Sequence, residues 1–159
     1  MRAAAPGRVT GSDWRTRRRV RSERALVGVS GGPYGRGMAT ADDVRRIALS
    51  LPEAIEKLAW GMPTFRAGPN GKIFASLDDD DQVIGVKCPK EERAELIASE
   101  PAKFFVREGH DDGYAWVRVR IGALDDEEEL RAILADSWRQ VAPRRLLEQY
   151  PEAGSRGES

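Results

Sequence analysis

Between Tyr114 and Ile121 the chain reads Tyr-Ala-Trp-Val-Arg-Val-Arg-Ile, an alternation that specifies a β-strand with two unlike faces. Ala115, Val117, Val119 and Ile121 form the apolar face; Tyr114, Trp116, Arg118 and Arg120 form the other. A sheet built on such a strand must bury its apolar face under other elements, so this octapeptide calls for a covering layer. Helical spacing elsewhere supplies one. Thr40 can cap a helix with Asp43 three residues on, followed by Val44, Ile47, Ala48 and Leu51. Leu130, Ile133, Leu134, Trp138 and Val141 make the apolar stripe of a long helix that starts at Asp125. The acids Asp126 to Glu129 suit the positive end of its dipole, and Pro143 ends or kinks it before Leu146, Leu147 and Tyr150.

The remaining strands follow from turn chemistry. Ile55 to Trp60 reads as a short strand, and Pro52 stops the helix before it. Thr64 to Ala67 and Lys72 to Leu77 flank Gly68-Pro69-Asn70-Gly71, a hairpin signal, and the acidic turn Asp78 to Asp81 leads into Gln82 to Lys87. These last three strands make an antiparallel meander. Pro89 opens a helix holding Ala94, Leu96 and Ile97. The fold class is therefore α+β, an antiparallel sheet packed with helices on one face, in the order α-β-β-β-α-β(β)-α.

The folding unit runs from 38 to 150. Residues 1–37 hold nine arginines against Asp13 and Glu23, a balance of +7, and their prolines and glycines interrupt any apolar periodicity. The expectation is a disordered basic extension, with 151–159 a disordered tail. Three readings of the extension stand: residues upstream of a true start at Met38, a basic arm for nucleic acid, or an Arg-rich transit peptide. Because the formal charge of the whole chain is zero, everything from Met38 onward carries −7. The longest apolar runs are only a few residues, too short for a membrane span, which points to a cytoplasmic protein with no membrane partner. The single cysteine, Cys88, excludes an internal disulfide and any multi-cysteine zinc site.

Chemistry-bearing residues are sparse. His110 is the only histidine and stands beside Asp111 and Asp112 between two glycines, without the further convergent groups that a metal or a general base needs. Cys88, directly before Pro89, has no motif that marks a nucleophile, and Asp78 to Asp81 lack the spacing of a calcium loop. No P-loop, dinucleotide fingerprint or nucleophile elbow occurs. The expectation is no catalytic residue, no metal and no cofactor. The distinctive group is the second face of the Tyr114–Ile121 strand, whose aromatics could stack bases while its arginines meet phosphates. Lys57, Arg66, Lys72 and Lys87, on strands or strand ends, could join them. The ordinary alternative is a half-exposed face on which Trp116 packs and the arginines pair with acids such as Asp111 or Asp112.

The strings Leu51-Pro52-Glu53, Trp60-Gly61-Met62-Pro63-Thr64-Phe65, Gly71-Lys72-Ile73-Phe74-Ala75 and Val86-Lys87 resemble the MmcQ/YjbR family. Trp116 before a basic strand and Ser137-Trp138 in the closing helix fit the same pattern. The resemblance covers Met38 to about Tyr150. It implies a YjbR-like fold akin to frataxin-like (CyaY-like) and secretion-chaperone-like domains, described as a double wing, and a DNA-binding label. On that basis the chain is expected to be a non-enzymatic DNA-binding protein that uses Arg66, Lys72, Lys87, Tyr114, Trp116, Arg118 and Arg120. A protein-interaction or chaperone-like adaptor that binds no nucleic acid is the alternative, and an enzyme acting through His110 is the third.

Overall fold

The computed structural model of this chain describes residues 39–78 and 81–151. The expected basic extension, residues 152–159 of the expected tail and the centre of the acidic turn lie outside them. Four helices, α1 (Ala41–Leu49), α2 (Lys90–Ser99), α3 (Glu127–Val141) and α4 (Arg144–Gln149), accompany six strands. These are β1 (Ala54–Ala59), β2 (Met62–Ala67), β3 (Ile73–Asp78), β4 (Val83–Lys87), β5 (Phe104–Phe105) and β6 (Trp116–Arg120). The strands form one antiparallel sheet in the order β1-β2-β3-β4-β6-β5.

Local chemistry sets most boundaries. Thr40 and Asp43 exchange the reciprocal bonds of a capping box at the start of α1, and Asp126 caps α3 by accepting from the Glu129 amide. The β2–β3 turn demands glycine at its end: a Cβ on Gly71 would lie 2.0 Å from the Ala67 carbonyl oxygen. The β1–β2 connection is tighter than the sequence suggests. Trp60 leaves the strand and, with Gly61, adopts positive φ (53° and 80°), as in a two-residue type I′ hairpin turn. Ile121 likewise falls outside β6, in a short 3-10 turn.

Register fixes which side chains share a face. Val117 and Val119 of β6 oppose Val86 and Ile84 of β4, which in turn oppose Ala75 and Leu77 of β3, and all six are buried. They join one core with Leu130, Ile133, Leu134 and Trp138 of α3 and with Val44, Ile47 and Ala48 of α1. Alternation then puts Val83, Gly85 and Lys87 of β4 beside Trp116, Arg118 and Arg120 of β6 on the opposite, open face.

Ser137 ties α3 into the sheet. The β3–β4 pairing ends at Ala75–Val86, and beyond it the buried Ser137 hydroxyl takes the place of the next ladder bond. It accepts from the Lys87 amide (2.9 Å) and donates to the Phe74 carbonyl (2.6 Å). One hydroxyl thus satisfies two backbone groups that would otherwise be stranded beside the core.

Candidate nucleic-acid interface

The open face is polarised along its strands. The antiparallel register puts the β2–β3 turn, the end of β4 and the start of β6 at one end of the sheet. Asp78 and Asp81, on either side of the β3–β4 connection, lie at the other. Arg66 opposes Ile73, Ala75 opposes Val86, and Lys87 opposes Trp116, so Arg66, Lys87 and Trp116 fall close to one rung across β2, β3, β4 and β6. Three strand spacings separate the ends of that rung, about 14 Å. Lys72 is exposed beside it, immediately before β3. Asp78 stands four residues along β3 from Phe74, about 13 Å from the rung.

At the rung, backbone is clamped from behind and side chains face outward. The Lys87 amide donates to Ser137, and the Lys87 carbonyl accepts from Gln140 Nε2 at 3.2 Å, so α3 holds both polar groups of the residue. The Lys87 ammonium lies over the Trp116 ring, 5.7 Å from its centroid, an attraction between the cation and the indole quadrupole. Gly85 gives the indole its seat. A Cβ at that position would come within 3.6 and 3.8 Å of the Trp116 ring and 3.1 Å of the Ser76 hydroxyl. An isolated glycine in a strand marks such a close approach, a signal that sequence reasoning missed.

Arg93 of α2 fixes the approach to β6. Its Nη1 donates to the carbonyls of Tyr114 (2.8 Å) and Trp116 (2.7 Å), with a longer contact of 3.4 Å to that of Asp111. Tyr114 lies ahead of the strand in a bend and is 61% exposed. Arg66 is half-buried, and its Nε is buried with no hydrogen-bond partner among the described residues.

The two arginines of β6 are engaged differently. Arg118, its side chain only 12% exposed, binds Asp111 through Nε (2.8 Å) and Nη2 (3.0 Å) and pairs with Asp78 through Nη1. Two carboxylates neutralise one guanidinium, as in the ordinary reading of this face, with Asp111 rather than Asp112 as the loop partner. Burial pushes the Asp111 carboxyl up, but the Arg118 hydrogen bonds and charge and the Arg107 amide outweigh it and hold it below the usual aspartate value. The hydrogen bond to Asp111 and the charges of both acids raise Arg118 further against a smaller desolvation effect. Arg120 is exposed but stacks 4.1 Å from the Phe105 ring centroid and donates to the carbonyls of Pro101 (3.1 Å) and Ala102 (3.4 Å). Of the seven residues singled out from sequence, Arg66, Lys72, Lys87, Tyr114 and Trp116 gather at one end. Arg118 and Arg120 brace the loops around β5.

Cys88 is buried, and the exposed His110 meets Asp111 through Nδ1 at 3.2 Å. Among the described residues no group of three or more His, Cys, Asp or Glu side chains is arranged to hold a metal. None of the described helices is long and apolar enough to cross a membrane.

A family model described as YjbR matches residues 49–140. A crystal structure of Deinococcus radiodurans protein DR2400, with a domain described as DUF419, superposes with a TM-score of 0.60 at 21% identity, covering 74% of this chain and 92% of that one. At that identity the likeness is one of fold. No curated protein matches.

Proposed function

Starting from a chain that belongs to the YjbR family, with more than half of its length matched, we propose that it is a non-enzymatic DNA-binding protein. Its contact surface is the Lys87 end of the open sheet face. The observation that carries the reading is the cluster there: Lys87 over Trp116 on a glycine seat, Arg66 on the same rung, and exposed Lys72 and Tyr114 nearby. Aromatic platforms flanked by cations suit bases and phosphates together. Arg118 and Arg120 position this surface and make no phosphate contact in this account. The acidity of the folded part limits the affinity, because phosphate binding draws mainly on local cations and counterion release.

The test compares the full chain with its R66Q/K72Q/K87Q variant in a salt series, reading the anisotropy of labelled DNA. The variant should bind more weakly, with a salt dependence shallower by about 2 to 3 in the slope of log K against log salt. Identical slopes would remove the surface from consideration. A protein-interaction adaptor is the second reading, favoured by Leu58 (71% exposed) and Trp60 (82% exposed) at the β1–β2 tip beside an edge strand. It predicts equal DNA affinity for the two proteins.

A further inference from the structure

We infer that the nucleic acid this surface takes is single-stranded, and that the strand crosses the sheet at right angles to the β-strands, from the β2–β3 turn to Trp116. The inference rests on the proposed DNA-binding reading and adds a strandedness, a path and a footprint.

Charge polarity dictates the path. A polyanion running along β3 and β4 would leave Lys87 and meet Asp78 about 13 Å away and the exposed Asp81 beyond it. At that end Arg118 is already shared by two acids, and Arg120 is held by Phe105 and the Pro101 and Ala102 carbonyls. One running across the strands passes Lys72, Arg66 and Lys87 in turn and ends at Trp116 and Tyr114. The same distance discriminates against a duplex. Its two strands face each other across grooves about 6 and 12 Å wide, so docking one strand on the rung with the other over the sheet carries the second strand's phosphates to Asp78 and Asp81 at the β3–β4 turn. At a screening length of about 8 Å in physiological salt, phosphates that lie against that turn are repelled, whereas those on the rung are largely shielded from it.

The aromatic residues require the same substrate. In a duplex the base faces are occupied by neighbouring pairs; in a single strand they are free to stack on an indole or phenol ring. Lys87 now occupies the Trp116 face. A base arriving there displaces a flexible ammonium, and that ammonium becomes available to the adjoining phosphate. Backbone clamps from Ser137, Gln140 and Arg93 hold the platform while this exchange takes place. The rung of about 14 Å matches about four nucleotides at stacked spacing of about 3.4 Å each, and fewer when the strand is extended.

The experiment measures anisotropy of labelled thymidine oligomers of two to ten nucleotides, the matching uridine oligomers and a hairpin duplex. Each is titrated with the full chain, with R66Q/K72Q/K87Q and with Trp116→Ala. Subtracting the triple variant removes what the arginine-rich extension contributes. The difference between wild type and triple variant should appear with single strands, level off by about four to five nucleotides, and be small with the duplex. W116A should lose about tenfold on single strands and little on the duplex. The uridine series shows whether the surface also accepts RNA. Asp81→Asn, which keeps a residue tolerant of the positive φ at this position, should improve duplex binding and leave single strands unchanged.

A difference equal in size for duplex and single strands, or one that keeps growing beyond ten nucleotides, would overturn the path and leave the DNA-binding reading standing. No difference on any nucleic acid would overturn both. Near-ultraviolet circular dichroism of each variant, unchanged from wild type, assigns the losses to the surface rather than to the fold.

Discussion

Replacing Lys103 with methionine should cost about 3–5 kcal/mol of folding stability at neutral pH, because it strands buried carboxylates. Lys103 is only 7% exposed, and its ammonium pairs with Glu100 (3.0 Å), Asp125 (3.2 Å) and Glu129 (3.1 Å) where the start of β5 meets the first turn of α3. Burial disfavours its charged form, but the charge of Glu129, with Glu100 and Asp125 behind it, wins and raises its pKa. One ammonium among three carboxylates cannot satisfy them all. Glu129, 4% exposed, is pushed up by burial first, against the opposing charge of Lys103 and the Asp125 amide. An acid raised in the folded state contributes stability that is complete below its unfolded pKa and is lost as pH rises through its folded one. Without Lys103 that folded value climbs higher. The deficit of K103M should therefore shrink steadily as pH falls from neutrality toward the unfolded glutamate value of about 4.3. Urea denaturation across that range reads it, and a deficit independent of pH would show that packing, not charge, is what the lysine supplies.

Arg118→Met should be comparably costly, about 3–5 kcal/mol, since it leaves Asp78 and Asp111 facing each other without their shared cation. The pH dependence extends to lower pH. Asp111 is held below the usual aspartate value, so its contribution is present above the unfolded pKa and lost as pH falls through the lower folded one. In R118M burial and the nearby second acid are no longer opposed by the guanidinium, so the mutant's deficit should begin to shrink above the unfolded aspartate range of about 4. It goes on shrinking below that range, as wild type loses its own Asp111 contribution. Both deficits shrink as pH falls from neutrality, and that of R118M goes on shrinking in stronger acid, where wild-type Asp111 is protonated. R118M should also retain the salt dependence of DNA binding, because the guanidinium is spent on two acids. A slope as shallow as that of the triple variant would return Arg118 to the contact surface.

Arg118 shows where the sequence stops being informative. Alternation put it on the open face and its nearness in sequence to Asp111 pointed to that pairing, yet Asp78 is 40 residues away and left no local pattern. The core strands and helices were legible because their apolar residues repeat at periods of two and 3.6; the Thr40 cap and Pro89 mark two helix starts, while the long helix read from Asp125 begins after its cap Asp126. β5 is two residues long, too short for any alternation. Trp60 read as strand because tryptophan favours extended backbone, whereas the type I′ turn usually takes Asn or Gly at that position. Its positive φ and near-complete exposure set it apart from the core tryptophan, Trp138.

The candidate site was half legible. Sequence identified Trp116, Lys87, Lys72 and Arg66 as residues of the right chemistry on strands or their ends. Their gathering at one end of the sheet depends on register, including the irregularity between Phe65 and Arg66. The supports behind them, Ser137, Gln140 and Arg93, act on backbone groups across 50, 53 and up to 23 residues of sequence. Such contacts carry no periodic signature.

Ultraviolet cross-linking of the full chain to a short thymidine oligomer, with the attachment sites mapped by mass spectrometry, tests the central claim most directly. Cross-links are expected at Trp116 and Tyr114 and should disappear in R66Q/K72Q/K87Q. Cross-links confined to residues 1–37 would contradict the claim and assign the binding to the arginine-rich extension.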